Sequence, residues 1–230
     1  MKISNLQKET ELMRAESLIN EFSSKRYVDW AVKLLSNGYE SEYLNVLAGL
    51  DNEESETVDK YFKQVLFDLK IEVESDKEKL IEIYATYIAE GVVKKEITTE
   101  NGLLAFVKVA NFMDYESKYL EFTYLSDDIY GLENGEYSYY HDGLTLDNKE
   151  EYIIEEFRLF LETEKLENPD SAKEFVYCEK CTHVGKSILK KTLFNRNGTL
   201  KCGKCGSKNI QSYWNEKGKR GIVEYLTKKQ

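Results

Sequence analysis

The sequence predicts a mainly α fold, a multi-helix bundle or a short irregular α-solenoid, that ends in a small β-rich module. Three observations carry this expectation. Apolar residues recur at helical spacing through most of the first 168 residues; the only proline, Pro169, closes that stretch; and beyond it the pattern turns to alternation between two C-x2-C pairs.

Tyr27, Ala31 and Leu34 or Leu35 share one face, and Asn37-Gly38 predicts its stop. Leu44 to Leu50 is a short apolar piece halted at Gly49. Val58, Phe62, Val65, Leu66 and Leu69 form the next stripe, followed by Leu80, Tyr84, Tyr87 and Ile88 with a stop at Gly91. Asn101-Gly102 predicts another break, after which Leu103, Phe106, Val107 and Ala110 line one face. Tyr119, Phe122, Leu125 and Ile129 run to Asn134-Gly135. Asn148 is suited to cap a final helix with Glu151 at its third position, and Ile153, Ile154, Phe157, Phe160 and Leu161 give it a broad apolar face. About seven helices on short connectors pack with their sequence neighbours. No motif repeats at a fixed period, so a helical repeat would be a degenerate one. Tyr27–Tyr39 (YVDWAVKLLSNGY) and Leu44–Leu50 (LNVLAGL) resemble stretches of small bacterial helical proteins of unassigned activity, some of them immunity-like. The resemblance covers about the first third of the chain, and no functional residue follows from it.

Of 230 residues 41% are hydrophobic, enough to bury a core, and 42 acids against 32 bases leave a formal charge of -10. No run approaches the roughly 18 apolar residues of a membrane span, and the first residues lack a signal-peptide pattern, so a soluble cytoplasmic protein without a membrane partner is expected. The net charge argues against binding a polyanion over the whole surface. It is, however, a sum of opposed parts. From Lys173 onward there are 14 bases and 4 acids, +10, whereas the preceding residues carry -20. The expected domains are an acidic all-α part, 1–168, and a basic part, 173–230. Such asymmetry marks either two functional surfaces or two parts that attract each other.

The four cysteines, Cys178, Cys181, Cys202 and Cys205, fall as C-x2-C, twenty residues, C-x2-C. Two such turns bring four thiolates to a tetrahedron, so these four are the expected ligands of a structural zinc. Disulfides fit poorly with a cytosolic chain, a thioredoxin-like motif would need one C-x-x-C within βαβ, and a catalytic zinc needs an open position that four cysteines close. His183 could replace a ligand, but with four cysteines present it reads better as exposed or as a neighbour of the site. Tyr177–Cys181 and Lys201–Ser207 resemble the two knuckles of the zinc-ribbon family, over about Glu174 to Tyr213. Thr182 stands where that family commonly has glycine, which predicts a looser first knuckle. Lys180, Lys201, Lys204 and Lys208 would offset the net negative charge of the site, and Gly203 and Gly206 would aim amides at sulfur. Lys186–Phe194 reads as a strand, Asn195–Gly198 as a turn and Ile210–Trp214 as the returning strand. A module so small needs its metal, worth on the order of 10 kcal/mol in zinc peptides.

No phosphate-binding glycine loop, H-E-x-x-H or G-x-S-x-G occurs, and no residue is assigned a catalytic or organic-cofactor role. Asp127, Asp128, Glu133, Glu136, Asp142 and Asp147 surround His141 and Tyr130, Tyr137, Tyr139 and Tyr140. This segment reads as a cation or substrate pocket, as a solvated acidic loop, or as a tyrosine-rich contact surface; the loop outweighs the pocket, because clustering in sequence is a poor guide to convergence in space. The expected function is that of a non-enzymatic zinc-binding interaction protein, immunity-like, which binds a partner protein such as a basic toxin or nuclease through its acidic tyrosine-rich helical part. The alternative is nucleic-acid binding or regulation through the basic ribbon, where Lys186, Lys190, Lys191, Arg196, Lys201, Lys204, Lys208, Lys217, Lys219 and Arg220 interleave with Phe194, Tyr213 and Trp214. Oligomeric state is left open.

Overall fold

The computed structural model describes residues 3–192 and 195–229, with side chains described for 5–191 and 198–229. Phe194 and the side chain of Arg196, both named above for nucleic acid, lie outside these. The mainly α expectation holds: the described residues form ten helices and five short strands, and all the strands follow Pro169. No helix among them is long and apolar enough to cross a membrane. The chain divides into two compact units, Met1–Tyr87 with Lys108–Glu116, and Ile88–Val107 with Ser117–Gln230.

The first unit contains α1 (Ile3–Ile19), α2 (Ser24–Ser36), α3 (Glu42–Leu47), α4 (Ser55–Leu69), most of α5 (Lys77–Val93) and the end of α6 (Thr99–Phe112). Its core joins Leu6, Tyr27, Trp30, Leu34, Leu44, Val58, Phe62 and Val65. The rings of Tyr27 and Trp30 both meet Phe62 edge-on at 5.2 Å. Burying one such ring contributes about 2–3 kcal/mol. The polar ends are also satisfied: Trp30 Nε1 donates to Thr10 Oγ1 at 3.2 Å, and Arg14 donates to the Tyr27 hydroxyl at 2.7 Å.

The second unit holds the ends of α5 and α6 that meet it, α7 (Ser117–Glu133), α8 (Lys149–Thr163), the short α9 (Pro169–Ala172), the strands and α10 (Glu216–Thr227). Phe106, Tyr119, Phe122, Phe157 and Phe160 stack from α6, α7 and α8, with Phe106 and Phe157 edge-on at 4.7 Å. Gly91 and Gly102 were expected as stops, yet both lie inside helices. The reason is close packing, since an added Cβ would come 2.6 Å from Ile97 Cδ1 at Gly91 and 2.3 Å from Val92 Cγ2 at Gly102. Asn148 stands at the start of α8 but makes no capping bond; its side chain instead accepts from Thr145 N–H and donates to the Gly143 carbonyl, tying the preceding turn. Pro169 is the first residue of α9, where its missing N–H is harmless, and Asn168 accepts from Ser171 N–H.

The strands are β1 (Val176–Cys178), β2 (Val184–Gly185), β3 (Ser187–Thr192), β4 (Asn195–Cys202) and β5 (Ile210–Ser212). They make an antiparallel sheet in the order β2-β1-β5 and a separate β3-β4 hairpin. Asn195–Gly198 belongs to β4 rather than to a turn, so β4, not Ile210–Trp214, returns against β3; β5 pairs with β1. The helix α10 was also missed. It caps cleanly, Asn215 Oδ1 accepting from Lys217 and Gly218 N–H, and buries Ile222 and Val223 with Leu159, Val184 and Tyr213.

Candidate metal centre and tyrosine-rich surface

Cys178 ends β1 and Cys181 sits in the turn beyond it; Cys202 ends β4 and Cys205 sits in the next turn. The two turns share one hydrogen-bond plan. Thr182 N–H donates to the Cys178 carbonyl at 2.7 Å and Gly206 N–H to that of Cys202 at 2.9 Å. Cys178 N–H donates to the His183 carbonyl at 2.9 Å and Cys202 N–H to that of Ser207 at 2.8 Å. The residue just after the second cysteine is left-handed in both turns, Thr182 at φ 52° and Gly206 at φ 70°. Thr182 therefore takes the conformation its glycine counterpart takes, at the steric cost a β-branched residue meets there.

All four sulfurs lie within 4.8 Å of one another, and the Cys178–Cys205 and Cys181–Cys202 separations are each 3.7 Å. None is in a disulfide. A tetrahedron with metal–sulfur bonds of about 2.3 Å has edges of about 3.8 Å, so the four cysteines are arranged to hold a metal ion. Comparison with protein families, curated proteins and solved structures finds no match. Backbone N–H groups of Cys205 and then Lys204 face Cys202 and pull its thiol down to about 7. The His183 amide acts likewise on Cys181, but burial and the three other thiols outweigh it and push that thiol up to about 12. Four thiolates this close repel one another unless a cation shares the charge. The amides of Cys205 and Lys204 thus serve the Cys202 sulfur and that of His183 the Cys181 sulfur, whereas Gly206 N–H donates to the Cys202 carbonyl in the turn. His183 acts through its backbone, and its ring is not among the clustered ligand groups.

Several bases expected to face nucleic acid are engaged otherwise. Lys219 is 2% exposed; its Nζ donates to Glu121 Oε2 at 2.8 Å and Glu156 Oε2 at 2.6 Å, over the ring of Tyr213. Despite burial, these two carboxylates hold its ammonium above the usual lysine value. Arg220 pairs with Glu155 at 2.7 Å and with Glu216, Lys217 with Glu179, and Lys186 with Glu174. Tyr213 is buried, its hydroxyl 3.3 Å from Thr163 Oγ1. Lys190, Lys191, Lys204, Lys208 and Trp214 are exposed.

Of the acids around His141, Asp127, Glu133, Glu136, Asp142 and Asp147 are exposed, as a solvated loop predicts, whereas Asp128 and His141 itself are buried. Asp128, on α7 and 2% exposed, accepts from the amides of Tyr139 (2.7 Å), Tyr140 (3.0 Å) and His141 (2.9 Å) and from the Ser138 hydroxyl (2.8 Å). The buried His141 ring meets it at 2.9 Å through Nδ1. Burial raises the Asp128 carboxyl, but these donors, led by the Tyr139 amide, outweigh it and hold the group below the usual range. The loop is thereby fixed with its tyrosines outward. Tyr130, Tyr137, Tyr139 and Tyr140 are all more than half exposed, with Tyr140 stacked on Tyr124 at 4.5 Å and Tyr137 against Tyr139 at 4.4 Å. Sequence reasoning placed these residues together but missed that a single carboxylate organises them; the sequence signal was one acid followed ten residues later by a serine and a run of amides, which carries little information.

Proposed function

We propose that this protein is a zinc-stabilised interaction module that binds a partner protein through the acidic, tyrosine-rich surface of its helical part, in an immunity-like role toward a cationic partner such as a nuclease or toxin. Cys178, Cys181, Cys202 and Cys205 would hold the zinc, and four sulfur ligands leave no position for substrate, so the ion serves the fold. One observation carries the binding reading. Three exposed tyrosines, Tyr137, Tyr139 and Tyr140, are held on a loop fixed by the buried Asp128 carboxylate, and a fourth, Tyr130, is exposed on α7. Tyrosine offers a broad apolar body and a polar tip with little rotamer entropy to lose, which suits a protein interface more than a solvent-facing loop. Exposed acids beside it, among them Asp127, Glu136 and Asp142, favour fast encounter with a cation-rich protein.

The test uses a partner identified by crosslinking in the cell of origin, then purified and titrated against the full chain. Tyr137→Ala with Tyr139→Ala should weaken binding by about 10- to 100-fold, as loss of an aromatic hot spot does. Unchanged affinity of that double variant would remove this reading.

A further inference from the structure

Beside the tyrosines runs a groove of about 580 Å³ between the start of α6, the second half of α7 and the start of α8. Its floor is apolar, formed by Leu103, Ile129 and Ile153, and its flanks are Leu104, 54% exposed, and Tyr130, 71% exposed. The rim is acidic. Glu100, Glu133 and Glu150 line it, and the single base, Lys149, is already bound to Glu133 at 2.7 Å. A large leucine left half in water beside an open apolar floor costs free energy that a bound side chain would recover. The volume falls in the range of ligand sites and accommodates two or three large side chains, the number one face of a short helix supplies at i, i+3 or i+4, and i+7.

We infer that this groove seats the apolar face of a cationic amphipathic helix presented by a partner protein, its lysines or arginines reaching Glu100 and Glu150. The complementarity of charge selects this occupant: a neutral apolar helix would leave the rim carboxylates unanswered, and an acidic one would be repelled. The inference rests on the interaction reading and specifies which chemistry the partner brings. The groove and the tyrosine surface share Tyr130, so one partner can engage both.

The probe is a fluorescein-labelled peptide of about 14 residues, leucine and lysine only, with leucine at helical spacing, titrated against the full chain by anisotropy. Controls are the same composition at strand spacing and a glutamate-for-lysine version. The helical cationic peptide should bind at least 10-fold more tightly than either control. Leu104→Asp, at an exposed position, should lose about 10-fold, as should the charge reversal Glu100→Lys with Glu150→Lys, with unchanged circular dichroism showing that the fold is intact. Equal binding of all three peptides, or of wild type and Leu104→Asp, would overturn the groove assignment. A chain that still binds its natural partner through Tyr137 and Tyr139 while failing the peptide test would lose the groove alone; loss of both would remove the interaction reading itself.

Discussion

Thr182 shows most plainly what a single residue does in this fold. It adopts φ 52° where Gly206 in the matching turn adopts φ 70°, so the first knuckle keeps the geometry of the second at a steric cost. Thr182→Gly should therefore stabilise the protein by about 1 kcal/mol, read as a rise in thermal midpoint, because the relief of left-handed strain exceeds the added chain entropy of glycine. Asp128 acts in the opposite sense, since many donors depend on one carboxylate. Asp128→Asn leaves some of those amides without an acceptor and should cost about 2–3 kcal/mol. Its folded carboxyl lies below the ordinary value of 3.8, so the ionised group contributes stability above that value and loses it as pH falls through the lowered one. Acid titration of tyrosine fluorescence should show that loss in wild type and a smaller acid dependence in Asp128→Asn.

At the scale of elements, α10 joins the strands to the helices. Its Gly218 lies so close to β5 that an added Cβ would fall 2.0 Å from the Ser212 carbonyl, and Lys219 reaches Glu121 on α7 and Glu156 on α8. Lys219→Met should cost about 3–5 kcal/mol in chemical denaturation, because it strands two carboxylates, one of them only 1% exposed. This helix was hard to see in the sequence. Glycines at 218 and 221 and five charged residues dilute its apolar face to Ile222, Val223 and Leu226. The helix α1 was hidden for a related reason, since of its described buried residues, Leu6, Thr10, Glu11 and Ala15, only Leu6 is large and apolar. By contrast α2, α4, α7 and α8 were legible because their buried residues are large and recur every third or fourth position. The cysteine cluster was legible from spacing alone, whereas the pairing of β3 with β4 was not: which strand answers which depends on long-range register, and Asn195–Gly198 looks like a turn wherever it falls.

For the molecule as a whole, the division of charge at Pro169 takes on a physical meaning within the second unit. Basic residues of the C-terminal part meet acids of α7 and α8, with Lys219 buried between two of them and Arg220 on Glu155. The pair on the surface is screened by salt, the buried one much less. The sheet, which carries Cys178 at the end of β1, packs with α10 through Val184, Tyr213 and Ile222. Stripping the metal with a chelator should therefore expose the chain from about Phe175 onward to protease while the core of the first unit keeps its protection. The most direct test of this account is metal analysis of the purified full chain, paired with a Cys202→Ser variant. It predicts about one zinc per chain in wild type, and in the variant loss of the zinc together with loss of protease protection around the four cysteines. A wild-type protein that is fully folded and protease-resistant with no bound metal would contradict it.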